Sequence, residues 1–499
     1  MAVQDTESLS TRALALLANT GRVLVPSYSR DDLTVGIVHF GVGNFHRSHQ
    51  AMVIDRLLEQ GLARDYAICG VGVLPNDRTM ADVLSEQDYL YTLMLKHPDG
   101  SREARVIGSI VDYLFAPDDP EAVIERMSDP QVRIVSMTVT EGGYNFDQVT
   151  GSFNEDDPGV RYDLEHLDTP TTAFGLIYAA LRRRRSRGVT PFTVMSCDNI
   201  QENGSVARRS MTAFARLVDL EFAEWMNTNV SFPNSMVDRI TPVTTDADRV
   251  EIAAVLGLVD GWPVVAEPFF QWVLQDDFSL GRPPFEVAGV QVVRDVEPYE
   301  MMKLRLLNAS HQAMCYFGYL AGFRYAHEAA GDEGIASLLR GYMDREGTPT
   351  LRPVPGVDLE DYKSTLIERF RNPEIRDTLA RLCAESSDRI PKWLLPVVMD
   401  DLAADRSVAL SAAVCASWAR YAEGIDEAGE KINVVDRLSG ELIAVARSQH
   451  EDELAFLRNS SLFGNLINEP RFTEPYSATL RSLWKSGARQ TIASIAASP

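Results

Sequence analysis

The chain has 499 residues with 48 basic and 71 acidic side chains, giving a formal net charge of −23. Such an acid excess repels phosphate backbones and anionic lipid surfaces, which excludes nucleic acid and membrane surfaces as partners. At roughly 100–200 residues per domain the length calls for two to four domains, and 45% hydrophobic with 24% charged residues is a globular composition.

No stretch approaches the roughly 18 apolar residues of a membrane span. The N-terminus carries Asp5 and Glu7 ahead of a short Ala/Leu run, without the basic region or small-residue cleavage site of a secretory signal. Cys69, Cys197, Cys315, Cys383 and Cys415 are scattered and odd in number, with no C-x-x-C pair. Buried free thiols in a reducing cytoplasm are therefore expected, without a disulfide framework or thiolate zinc site.

The first two dozen residues read as a helix and a Pro-Ser-Tyr-Ser loop. Residues 35–40 (VGIVHF) read as a buried strand ending in Gly41-Val42-Gly43, followed by a helical period from about 46 to 60 and a second strand at 66–73 (YAICGVGV). Strand, glycine turn, helix and strand make a βαβ unit and call for a parallel sheet. A hairpin is expected from residues 89–95 and 104–110, joined by His97-Pro98-Asp99-Gly100. Further strands are expected at 133–140 and 192–197. The basic run Arg182 to Arg185, with Arg187 and Gly188, closes a predicted helix, where cations offset the dipole. After about residue 293 the segments 301–324, 333–344, 359–385 and 408–424 are helix-periodic. The expected architecture is an α/β Rossmann-type N-terminal domain over 1–292 and a mostly α-helical C-terminal domain over 293–499.

Gly41-Val42-Gly43-Asn44-Phe45-His46 follows a strand and opens a helix, the setting in which glycines let backbone approach a pyrophosphate. His46 stands where the usual fingerprint has its third glycine. Asp77, beyond the second strand, is the candidate acceptor for ribose hydroxyls, favouring NAD over NADP. It equally suits an N-cap of the following helix, and Arg78 beside it keeps NADP open. His46 and His49 lie three apart but lack a third ligand at motif spacing, so no metal centre is expected.

The densest chemistry is Glu300-Met301-Met302-Lys303-Leu304-Arg305-Leu306-Leu307-Asn308-Ala309-Ser310-His311. On an α-helix Lys303, Asn308 and His311 fall at 0°, about 140° and about 80°, so all three can face one cleft. A satisfied polar seam between domains is the competing reading.

The segment K-x-x-x-x-N-x-x-H at Lys303–His311 resembles the catalytic stretch of the long-chain polyol dehydrogenases, the mannitol 2-dehydrogenase family. Gly41 to His49 (GVGNFHRSH), Thr140-Glu141-Gly142-Gly143-Tyr144, Ser196-Cys197-Asp198-Asn199 and Ser235 to Pro242 (SMVDRITP) resemble it in the same order. The resemblance implies NAD-dependent, metal-free interconversion of D-mannitol and D-fructose. It implies Lys303 as general base, Asn199 and Asn308 as donors to the reacting oxygen, His311 as substrate orienter and Glu300 as the lysine's link to solvent. Asp238 would accept from a neighbouring substrate hydroxyl, and Arg381 and Lys392 would contact distal hydroxyls, with Arg389 an alternative to Lys392. Gly41, Gly43, Phe45 and Asp77 would belong to the cofactor side. A cytoplasmic monomer is the expected setting.

Within the family, a D-arabinitol 4-dehydrogenase or a fructuronate or tagaturonate reductase is the alternative. Outside it stands a non-catalytic NAD-binding sensor, which has no need of a general base.

Overall fold

A computed structural model describes residues 7–146 and 152–496. Its backbone falls into two compact units, one reaching Val296 and the other starting at Glu297.

The first unit is built on five parallel strands: β1 (Val35–Phe40), β2 (Ala67–Gly72), β5 (Ile110–Phe115), β6 (Ile134–Met137) and β7 (Thr193–Ser196). Their spatial order is β5-β2-β1-β6-β7. Successive side chains of a strand point to opposite faces. On β1, Val38 and Phe40 accordingly join a core with Phe174, Leu176 and Met211, while Ile37 joins a second core with Ile54 and Leu57. Helices thus cover both faces and the strands are buried runs, the signature of a doubly wound, Rossmann-like sheet. The chain moves outward through β2 and β5, then returns to the other side of β1 for β6 and β7. The order therefore reverses between β1 and β6.

The hairpin forms as β3 (Tyr91–Lys96) and β4 (Arg102–Ile107), with Lys96 opposite Arg102. β9 (Val264–Ala266) adds to β3 in parallel. A third sheet joins β8 (Ser235–Asp238), β10 (Gln271–Gln275) and β11 (Gln291–Val293). β5 was not expected as a strand of its own: it starts two residues after β4 and crosses from the hairpin to the edge of the main sheet.

The arginine run does close a helix, Ala173–Ser186. Arg184 is fully buried and donates to the carbonyls of Met127, Val132 and Thr190. Arg183 and Arg187 pair with Glu121 and Glu125. These arginines fasten the helix to its neighbours.

The second unit is helical. Ala409–Ala422 is buried on nearly all sides, with the Trp418 ring centroid 4.9 Å from that of Phe456. The expected 359–385 helix is two pieces, Leu359–Phe370 and Leu379–Leu382. Pro373 lacks an N–H and disfavours helical backbone at Asn372, which ends the first piece. All five cysteines are buried and unpaired, and among the described residues no helix is long and apolar enough to cross a membrane.

Candidate active site

In open parallel sheets, ligands gather beyond the carboxyl ends of the strands where strand order reverses. Here the glycine turn leaves β1 at that point. Gly41 has φ +85°, and a Cβ on it would lie 2.4 Å from the Thr138 carbonyl, so only glycine fits. Thr138, just past β6, donates its hydroxyl to the Gly41 carbonyl at 2.7 Å. Gly43 leads into a short helix, Asn44–Ser48, which breaks at His49 before Gln50–Glu59 continues. The single helix expected from 46 to 60 is thus two, because His49 has φ −120°, ψ −92°.

Phe45 stacks on His49 with ring centroids 4.7 Å apart. His46 stacks instead on the buried His39, centroids 3.4 Å apart. The two histidines of the sequence pair therefore face different neighbours. Among the described residues no group of three or more His, Cys, Asp or Glu side chains is placed to hold a metal ion.

Asp77 ends the 3-10 turn Pro75–Asp77 after β2. It precedes the helix Arg78–Glu86 but its side chain does not cap it. One carboxylate oxygen accepts instead from the Val73 and Leu74 N–H groups, at 3.0 and 2.9 Å. That fixes a half-exposed carboxylate at the end of the second strand, where a ribose acceptor belongs. Arg78 is committed to Asp118 and lies over the Phe115 ring. With glycine required at Gly41 and an anchored acid at Asp77, these loops fit a dinucleotide.

Asn199 lies in the exposed loop after β7. Asp238 ends β8 and is 6% exposed. The residues after it run beside the glycine-turn helix: Ser48 Oγ lies 2.8 Å from Thr241 Oγ1, and Asn44 donates to the Pro242 carbonyl. Arg239 is buried and donates to the carbonyls of Ser48 and Glu267. Burial lowers its pKa to about 10. The SMVDRITP segment is in this way held against the glycine turn.

In the second unit, Glu300 lies on the helix Glu297–Met302 and His311 in the first turn of Ala309–Leu320. Between them, Lys303–Asn308 is one turn of π-helix, not the α-helix assumed from sequence. The Ala309 N–H reaches back five residues to the Leu304 carbonyl. The wider turn changes the projected angles and brings Lys303 and Asn308, five apart, toward one line along the axis. Such insertions occur frequently at functional sites. Glu300, Lys303 and Asn308 are buried, and His311 is half-buried with its ring 4.7 Å from that of Phe370.

Arg381 stands on Leu379–Leu382 and holds Asp377 through two nitrogens. Lys392 is exposed on Ser386–Trp393. Arg389 donates to the carbonyls of Arg381 and Leu382, closing the helix they end. Sequence reasoning missed the parts played by Thr138, Asp198 and Asn203. An acid and an amide beside an apolar strand end are a visible signal, but their partners lie in distant segments.

Residues 35–287 match the mannitol dehydrogenase Rossmann domain and residues 295–484 the mannitol dehydrogenase C-terminal domain. A mannitol 2-dehydrogenase of Aspergillus fumigatus is 45% identical over 493 residues, covering 97% of this chain and 98% of the relative. One from Phaeosphaeria nodorum is 46% identical over 495 residues, 98% of this chain and 86% of the relative. The structure of Pseudomonas fluorescens mannitol 2-dehydrogenase, a ternary complex with NAD and D-mannitol, is 43% identical with a TM-score of 0.87, covering 99% of this chain and all of that one. A D-sorbitol dehydrogenase in substrate-free form is 37% identical with a TM-score of 0.91, covering 97% of this chain and 99% of that one. The chain belongs to the mannitol dehydrogenase family.

Proposed function

We propose that this chain is an NAD-dependent polyol dehydrogenase that oxidises D-mannitol to D-fructose and catalyses the reverse reduction. The observation that carries the reading is its near full-length likeness to the Pseudomonas fluorescens enzyme in complex with NAD and D-mannitol.

Gly41, Gly43 and Phe45 would border the cofactor, and the Asp77 carboxylate would accept from its ribose hydroxyls. Bound NAD supplies the acceptor for the hydride from the carbinol carbon. In the second unit, Lys303 Nζ takes the hydroxyl proton of the substrate, Asn308 donates to the oxygen as charge develops on it, and His311 orients the alcohol. Glu300, one turn before the lysine, passes that proton toward solvent. Asn199 would donate to the reacting oxygen and Asp238 would accept from a neighbouring hydroxyl, which selects configuration. Arg381 and Lys392 would meet the distal hydroxyls.

The reaction proceeds without a metal on this reading: a lysine base and two amide donors act on the reacting oxygen where a Lewis acid otherwise would. Chelator treatment leaves activity intact; loss of activity restored by zinc would overturn the claim. The chain works as a monomer in the cytoplasm on this reading; its five buried, unpaired cysteines suit a reducing compartment.

A second reading, oxidation of D-sorbitol, is favoured by the D-sorbitol dehydrogenase likeness. The test is initial rates of NADH formation with D-mannitol, D-sorbitol and D-arabinitol, and of NADH consumption with D-fructose, D-fructuronate and D-tagaturonate. D-Mannitol and D-fructose leading their series supports the proposal. A lead by another compound changes the substrate but not the machinery, and saturable NADH binding without turnover would favour a sensor.

A further inference from the structure

Asp198 touches none of the reacting groups in the reading above, yet it is 6% exposed and precedes Asn199. Its Oδ1 accepts from the Thr140 N–H at 2.8 Å. Its Oδ2 accepts from the Val139 N–H at 3.1 Å and the Tyr144 hydroxyl at 2.7 Å. One carboxylate therefore gathers two consecutive N–H groups and a hydroxyl from the loop that leaves β6. Burial raises its pKa, against the pull of these three donors.

Thr140 has φ 64° and ψ 171°, a region populated essentially by glycine alone. A β-branched residue there is strained, and such strain persists only where the surroundings over-determine the backbone. The Thr140 side chain is exposed, so it does not hold itself in place. Asp198 does, accepting from the N–H groups on either side of Val139, the second of which is the Thr140 N–H itself. On its other flank Asp198 is pinned by Asn203, whose amide donates to the carbonyls of Asp198 and Ser235 at 2.9 and 2.8 Å. Ser235 returns its N–H to Asn203 Oδ1 at 2.8 Å. The loop after β6, the loop bearing Asn199 and the start of the strand bearing Asp238 are thus joined through Asp198 and Asn203.

We propose that Asp198 is a positioning residue: its carboxylate, bonded to the Val139 and Thr140 N–H groups, holds Thr140 in a glycine-like conformation and so sets the loop beside Gly41 together with Asn199. The inference rests on the reading of Asn199 as a donor to the reacting oxygen.

Asp198→Asn keeps the size but turns an amide N–H₂ toward a backbone N–H, so one arm of the clamp fails. In the full-length enzyme it lowers kcat for D-mannitol oxidation at least ~10-fold, as loss of a positioned donor does. Adding Thr140→Gly supplies a residue that adopts this backbone without strain, and recovers at least about threefold of that loss. Adding Thr140→Ala keeps the Cβ and recovers nothing. A generic packing role for Asp198 would not separate glycine from alanine at residue 140. Wild-type kcat in Asp198→Asn, or equal behaviour of the Gly and Ala double variants, would overturn the proposal.

Should Asp198→Asn not fold, the single variants decide: with Asp198 intact, Thr140→Gly unfolds at a higher temperature than Thr140→Ala, and the reverse order refutes the strain. That comparison needs no substrate. A wild-type protein silent with D-mannitol and NAD would therefore sink the functional reading alone.

Discussion

The Tyr342 hydroxyl donates to the Arg305 carbonyl at 3.0 Å, and this bond sits where the π-turn departs from an α-helix. In an α-helix the Ala309 N–H would serve Arg305; here it goes to Leu304, and Tyr342 gives Arg305 a donor in its place. The tyrosine ends the helix Glu333–Tyr342, and a second π-turn, Met343–Gly347, follows it. A Cβ on Gly347 would lie 2.9 Å from Leu306 Cδ2, so the two π-turns are in close contact. Tyr342→Phe should lower stability by about 1 kcal/mol, the net worth of one hydrogen bond. It should also lower kcat several-fold, with the KM for NAD unchanged. Steady-state kinetics beside a thermal melt separates the effects, and an unaltered kcat would free the lysine turn from this support.

Lys303→Ala is expected to lower kcat at least about 100-fold, since general-base catalysis commonly contributes that much. NADH binding, followed by quenching of protein fluorescence, should stay within a factor of two of wild type. Full turnover in this variant would remove the lysine from the mechanism.

Asp77→Ala should weaken NAD and improve NADP, because the carboxylate that accepts from a ribose would repel a 2′-phosphate. Its two backbone donors, Val73 and Leu74, make Asp77→Asn the milder control. Equal responses of both cofactors would rule out the ribose role.

Acid should unfold this protein partly through two histidines. His39 is fully buried, 2.8 Å from Ser136 Oγ and 3.1 Å from Thr138 Oγ1, and burial pushes its pKa down to about 3. His46 falls well below its usual range through burial and the nearby His39 and Arg47. Both are neutral in the fold and take up protons when unfolded. Their contribution is complete above the ordinary histidine pKa near 6.5 and is lost as pH falls toward the folded values. From pH 7.5 to 5 the loss is about 2 kcal/mol per histidine. Urea unfolding at both pH values should show His46→Gln losing less than wild type, and equal losses would contradict the buried, neutral state.

Apolar runs made most of the main sheet legible: 35–40 and 66–73 sit at β1 and β2, and 133–140 and 192–197 contain β6 and β7. β5 stayed hidden because Ile110 follows the hairpin so closely that the two read as one run. β9, at Val264–Ala266, is too short to display a period. The glycine turn and the lysine segment announced themselves by residue type. The π-turn did not, since Leu and Met report burial rather than hydrogen-bond register. The part played by Asp198 escaped notice for another reason: its donors come from residues 139, 140 and 144, more than fifty positions away.

The five buried thiols give the molecule an internal clock. A water-soluble disulfide reagent finds nothing to attack while the chain stays closed, because burial also pushes the thiols of Cys69, Cys197, Cys383 and Cys415 upward in pKa. Every modification event therefore timestamps an opening, and mass mapping says where it occurred. Cys197 adjoins the Asp198 clamp, whereas Cys315 lies on the helix that follows the lysine turn. Labelling with and without nucleotide would show which of these neighbourhoods breathes and which one the cofactor stills.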